Sequence, residues 1–332
     1  MRIAGRQCLP ALIMQKRNLS IAVIFSVIVL ASAGGLIYQR SKKEEHNFEA
    51  NVQARASHES PAKPSRATAP LPPGNTPFRL VADNLKARAL KGDAGAACRL
   101  ALEYQKCNLA QQQISHADDV TSTSQDESDG VPEIALPLDK AKFYANLAHC
   151  EGTEEVNASE ISRMWRRSAE NGNLAAMVNY AAGNAFSVAS TLDTAEELII
   201  YRKIAPQISR SAINRGSGLA LLSLAAAYQP ENQVGIRSYL SQAVGADIQQ
   251  SLTLYKMAKM AATGSDQEVS RFIDDQIEKL DRRASALQRS QSDYEARERV
   301  STIGKINLPS ARDIAWLRIG SAPSIDLKDC ED

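Results

Sequence analysis

From about residue 79 onward, apolar residues recur at intervals of three and four, and no stretch alternates with period two. That spacing lines one face of an α-helix; a half-buried strand would need strict alternation. The pattern predicts helices over 79–90, 94–108, 138–150, 158–171, 174–184, 194–215, 217–229, 232–243, 247–263 and 267–290, with shorter ones over 293–303 and 310–318. Pro206 is expected to break or kink the 194–215 segment, because proline has no N–H to donate. The expected fold class is all-α.

A different pattern comes first. Residues 19–38, LSIAVIFSVIVLASAGGLIY, carry no charge. At ~1.5 Å per residue a helix of that length spans roughly 30 Å, the hydrocarbon thickness of a bilayer. The segment therefore reads as a transmembrane signal-anchor. Arg2, Arg6, Lys16 and Arg17 precede it, against Arg40, Lys42 and Lys43 just after. This bias favours residues 1–18 as a cytoplasmic tail and export of the C-terminal body. The alternative is a signal peptide cleaved after Ala33, since Ala31-Ser32-Ala33 fits a small-residue cleavage site. Both readings export the body; the reverse topology would retain it. Residues 39–78 are rich in Pro, Ala, Ser and charge, without apolar periodicity, and read as a disordered tether. Between Gln112 and Pro137 stand Asp118, Asp119, Asp126, Glu127, Asp129 and Glu133 with no Lys or Arg. They lack the ligand spacing of a calcium loop and read as a solvated acidic loop.

Three glycine-centred blocks repeat: LKGDAGAACRLALEY around Gly92, AENGNLAAMVNYAAG around Gly172, and INRGSGLALLSLAAAY around Gly216. Four residues after each glycine stands Ala96, Ala176 or Ala220, and nine after stands Ala101, Ala181 or Ala225. Eight after stands Leu100, Tyr180 or Leu224. Twelve after is Tyr104 or Tyr228, with Asn184 departing in the second block. Offsets of four, eight and twelve share one helical face, where small residues admit a close neighbour and Leu and Tyr fill the remaining space. Each glycine suits the left-handed turn that ends one helix before the next.

The blocks form an internal repeat of helix–turn–helix type. They resemble the Sel-one-like repeats of the tetratricopeptide superfamily, most closely in ISRMWRRSAENGNLAAMVNYAAG, residues 161–183. Gly92-Asp93 and Gly172-Asn173 carry that family's turn, and Gly216-Ser217 is a looser match. The glycines are irregularly spaced, and the block at Gly264 has lost the pattern, being followed by Glu268, Val269 and Phe272. The resemblance implies an α-solenoid of stacked helix pairs over 79–290, with 291–332 as a C-terminal cap and tail. It also implies a protein-binding or scaffold role, with another envelope protein or complex as partner. The compartment would be the periplasmic face of a bacterial inner membrane.

Cysteine usage bears on the compartment. Cys8 precedes the apolar segment; Cys98, Cys107, Cys150 and Cys330 follow it. Four cysteines in an exported domain suggest disulfides, against the alternative of four small buried hydrophobes. Cys98 and Cys107 lie nine residues apart in one expected helix, so ~13 Å and opposite faces separate them and they cannot bond to each other. If the helix ending near Cys150 packs antiparallel to the one carrying Cys98, Cys98–Cys150 follows. A crossover through the intervening loop favours Cys107–Cys150 instead.

No catalytic, cofactor or metal motif stands out. His149 adjoins Cys150, but neighbours on a helix point apart, and it reads as a solvated helix-end histidine. Glu154-Glu155 and Glu196-Glu197 read as solvated helix starts, and Trp165 and Trp316 as core. The formal net charge is +1, with 39 basic and 38 acidic residues, which leaves no excess for nucleic acid. The expected protein is not an enzyme and needs no cofactor. An enzyme or enzyme accessory subunit of the cell envelope is the alternative, since catalytic groups can be scattered in sequence.

Overall fold

The computed structural model describes residues 69–123, 140–230, 238–262, 266–318 and 321–331. The expected cytoplasmic tail, the apolar segment 19–38, most of the expected tether, Gly264 itself and residues 124–137 of the expected acidic loop lie outside them. The described residues are helical, with no strand among them and one isolated parallel bridge between Ser217 and Asn307. Among the described residues, no helix is long and apolar enough to cross a membrane.

Three helix pairs open the array. They are α1 (Phe78–Leu90) with α2 (Ala94–Thr123), α4 (Ala158–Glu170) with α5 (Leu174–Ala182), and α6 (Ala195–Asn214) with α7 (Gly218–Ala227). Between the first two pairs stands α3 (Lys140–Cys150). Each second helix packs on the first helix of the next pair, α2 on α4 and α5 on α6. Beyond them come α8 (Tyr239–Val244), α9 (Ile248–Ala261), α10 (Gln267–Asp281) and α11 (Ala286–Ile303), with α9 packed between α7 and α11. The chain ends in α12 (Ala311–Arg318) and a short 3-10 turn, Leu327–Cys330.

The three intra-pair turns share one hydrogen-bond pattern. Gly92, Gly172 and Gly216 have φ of 89°, 96° and 84°. The glycine N–H donates to the third carbonyl back, at Ala89, Ala169 or Ile213. The next N–H, of Asp93, Asn173 or Ser217, donates to the fifth carbonyl back, at Arg88, Ser168 or Ala212. This paired arrangement satisfies the carbonyls that a helix end leaves open. The residue after each glycine then caps the following helix: Asp93, Asn173 and Ser217 accept from the N–H groups of Ala96, Ala176 and Ala220. Beyond the caps, the alanines and the Leu or Tyr eight residues after each glycine are all buried.

Several boundaries differ from the periodicity. Helix α2 runs to Thr123 rather than stopping near 108, because no Gly or Pro interrupts its Ala- and Gln-rich continuation. Pro206 does not end α6. Tyr201, Ala205, Ile208, Ala212 and Ile213 bury the flanking turns, and this burial outweighs a cost of about 3 kcal/mol. The expected helix 267–290 divides at residues 282–285, and its second part continues through 293 to Ile303. Ser285 and Gln288 form a reciprocal capping box at that break. The expected 232–243 helix is described only as Tyr239–Val244. Trp165 is buried as expected, whereas Trp316 is exposed on the short α12.

Candidate binding groove and its disulfide frame

Two disulfides frame the first helix pair. Cys107 bonds Cys150, with Cα atoms 5.4 Å apart, and Cys98 bonds Cys330 at 5.5 Å. This is the crossover pairing, so the simple antiparallel expectation of Cys98–Cys150 fails. Its reason is the length of α2: the chain leaves that helix far beyond Cys107, and α3 returns with its C-terminal end beside Cys107 rather than beside Cys98. The spacing argument that keeps Cys98 and Cys107 apart agrees with both bonds.

The Cys98 bond fastens a strap. After α11 the chain runs back along the array, meeting the pairs in reverse order. Asn307 accepts from Gly218 N–H at 2.9 Å and donates to the Gly216 carbonyl at 2.8 Å. The Asn184 side chain donates to the Ala322 carbonyl at 2.9 Å and accepts from Ser321 Oγ at 2.7 Å. Asn173 donates to the Cys330 carbonyl at 3.3 Å. The strap passes close over the first turns of α2 and α7. A Cβ on Gly95 would sit 2.7 Å from the Cys330 carbonyl oxygen.

The other chain end is held on the same pair. Ala69 to Pro73 lie against α1 and α2, so the folded unit starts at Ala69 and takes in the last residues of the expected tether. Arg88 donates to the carbonyls of Ala69 and Pro70, and Arg99 to those of Pro72 and Pro73. Proline-rich backbone offers carbonyls without competing N–H groups, which suits it to arginine forks.

Beneath this lies a buried charge cluster. Arg99 and Glu103 are both buried, with Arg99 Nε 3.5 Å from Glu103 Oε1. His149 Nε2 shares a 2.8 Å hydrogen bond with Glu103 Oε2. His149 is thus largely buried and partnered rather than solvated, because the Cys107–Cys150 bond draws the end of α3 onto α2. Glu197 also departs from expectation. It is buried, and it holds Arg163 at 3.3 Å and Arg166 at 3.0 Å across the α4–α6 contact. Burial pushes the phenols of Tyr201 and Tyr255 well up from the ordinary tyrosine value.

Between α1, α2 and α4 a groove of about 200 Å³ opens to solvent. Ala89, Ala97, Leu100 and Met164 form its floor. Leu90, 67% exposed, forms one wall. Lys86, Arg163 and Arg167 stand on the rim with Glu160 as the acid among them. The sequence reading did not single out these residues. Lys86 with Leu90, and Arg163 with Arg167, stand at i,i+4 on their helices, but nothing in the spacing says that two such helices flank one opening. Among the described residues, no three His, Cys, Asp or Glu side chains cluster as a metal ion would require.

No family model, curated protein or solved structure matches this chain.

Proposed function

We propose that this chain is a membrane-anchored helical-repeat protein whose exported domain binds another envelope protein. In this reading residues 19–38 hold it in the membrane, and the helix pairs resemble Sel-one-like repeats. The observation that supports the reading best is the recurrence of one turn geometry at Gly92, Gly172 and Gly216, each followed by a capped, alanine-rich helix. Helix pairs joined in that way stack by their small residues and expose an extended surface, the usual basis of binding by repeat arrays. Two disulfides are compatible with an oxidising, exported compartment.

The test uses the full-length chain in intact cells. A photo-crosslinking residue at Leu90, beside the groove, is compared with one at Leu287, an exposed leucine on α11. A discrete protein adduct from the first position and none from the second is expected. Protease added outside the membrane should reach the helical domain. Absence of any adduct from either position, or a domain reached only by reagents in the cytosol, would refute the proposal.

A further inference from the structure

We infer that the groove between α1, α2 and α4 takes an acidic peptide segment carrying one leucine- or phenylalanine-sized side chain. The inference rests on the binding-module reading and specifies its partner.

Volume comes first. The groove measures about 200 Å³. A cavity of ~150 Å³ lined by apolar side chains accepts benzene, so this space suits one large apolar side chain and not two. The floor offers that side chain alanine, leucine and methionine carbons. Methionine adapts its shape to the ring or branch that enters.

Charge decides the rest. Lys86 and Arg167 make no ion pair or side-chain hydrogen bond with any described residue. Arg163 keeps Glu197 at 3.3 Å yet remains half exposed. Among the lining residues, three cations thus stand around an apolar slot with one carboxylate, Glu160. Elsewhere on α4 the basic side chain of Arg166 is engaged by Glu197 and Glu170. Arg167 is therefore the one basic side chain of α4 without a carboxylate partner among the described residues. A ligand that places its apolar side chain in the slot and carboxylates on both flanks would meet Lys86 on one side and Arg163 and Arg167 on the other. A basic or neutral segment would leave Lys86 and Arg167 unmatched, and Glu160 alone would not compensate a basic one.

The strap lies elsewhere. Its hydrogen bonds go to Gly216 and Gly218 at the start of α7, to Asn173 at the start of α5 and to Asn184 just past the end of α5, and among the described residues no groove-lining residue hydrogen-bonds to 304–318 or 321–331. The groove is therefore accessible while both disulfides are closed.

The probe is a fluorescent peptide, Glu-Glu-Phe-Glu-Glu, blocked at both ends, titrated against the oxidised full-length chain in detergent. Controls are the same peptide with Lys for Glu and with Ala for Phe. Saturable binding that weakens with salt and is lost with the Lys peptide is expected. The double variant K86E/R167E should bind the Glu peptide about tenfold more weakly and gain binding to the Lys peptide. Both positions are outside the buried core, so an unchanged melting curve shows that the fold is intact. Equal binding of the Glu and Lys peptides, or equal affinity of the double variant, would overturn the inference. So would indifference to the Phe→Ala control. The Leu90 crosslink separates the two proposals. An adduct that survives K86E/R167E leaves a binding module that does not use this charge, whereas no adduct at all removes the module reading itself.

Discussion

Gly218 offers a test in which two physical effects oppose each other. It is the first residue of α7, and its φ lies outside the left-handed region. By helix propensity alone, alanine there should be better than glycine, by up to about 1 kcal/mol. The strap reverses the sign. A Cβ at this position would sit 2.4 Å from the Asn307 carbonyl oxygen and 2.7 Å from Leu308 Cα, where ordinary contact begins at 3.4 Å. The strap must retreat by about 1 Å, since backbone atoms cannot rotate out of the way as a side-chain end can. That distance breaks two hydrogen bonds, from Gly218 N–H to Asn307 at 2.9 Å and from Asn307 N–H to Gly216 at 2.8 Å. At about 1 kcal/mol each, and with the buried Ile306 loosened beside them, the loss exceeds the propensity gain. Gly218→Ala should therefore destabilise the domain by about 1–2 kcal/mol. Urea unfolding of the oxidised protein measures it, and hydrogen exchange localises it. The amides of Gly218 and Asn307 should exchange faster, while those of α4 stay protected. A variant more stable than the parent, with the Asn307 amide still protected, would refute the close approach of the strap.

Other perturbations probe the frame and the core. Loop closure over 232 residues for Cys98–Cys330 corresponds to about 5 kcal/mol, against about 4 kcal/mol for the 43-residue Cys107–Cys150 loop. C98A/C330A should lower the urea midpoint more than C107A/C150A, and the opposite order would show that strap closure contributes little. Glu103→Ala leaves Arg99 buried beside no carboxylate and should cost about 3–5 kcal/mol. A thermal shift no larger than that of an average surface substitution would mean that the cluster does not stabilise the fold. The domain should also lose stability in alkali. Burial raises the phenol pKa of Tyr201, and likewise that of Tyr255, above the unfolded value near ~10. Their contribution is intact below that pH, because both states are then protonated. Above it the unfolded phenols release protons that the folded ones retain, so stability falls as pH rises. Phenolate absorbance of the native and urea-unfolded protein reports this directly; identical titration curves would exclude it.

Helical content was legible from the chain because it is a local property. Period, caps and breakers act within a few residues. Even the missed boundary at Ser285 carried its own signal, the Ser-x-x-Gln box. The expected stop near residue 108 had no such basis, and α2 is helical through Thr123. Pro206 shows the limit of local rules: its missing hydrogen bond is real, but buried neighbours on both sides outweigh it.

What tertiary structure alone decided is which distant residues share a place. Elimination within one helix could forbid Cys98–Cys107 but could not choose their partners, because that depends on where α3 and the last residues return. Glu197 and His149 are both charged-looking helix-end residues in sequence; packing of α6 on α4 and of α3 on α2 makes them buried partners instead. The groove has the same origin. Lys86 and Arg167 are 81 positions apart and acquire a common opening only when α4 docks beside α1 and α2. Helix formation needs only neighbours along the chain, whereas a charge pair, a crosslink or a cleft depends on a distance that the fold must first create.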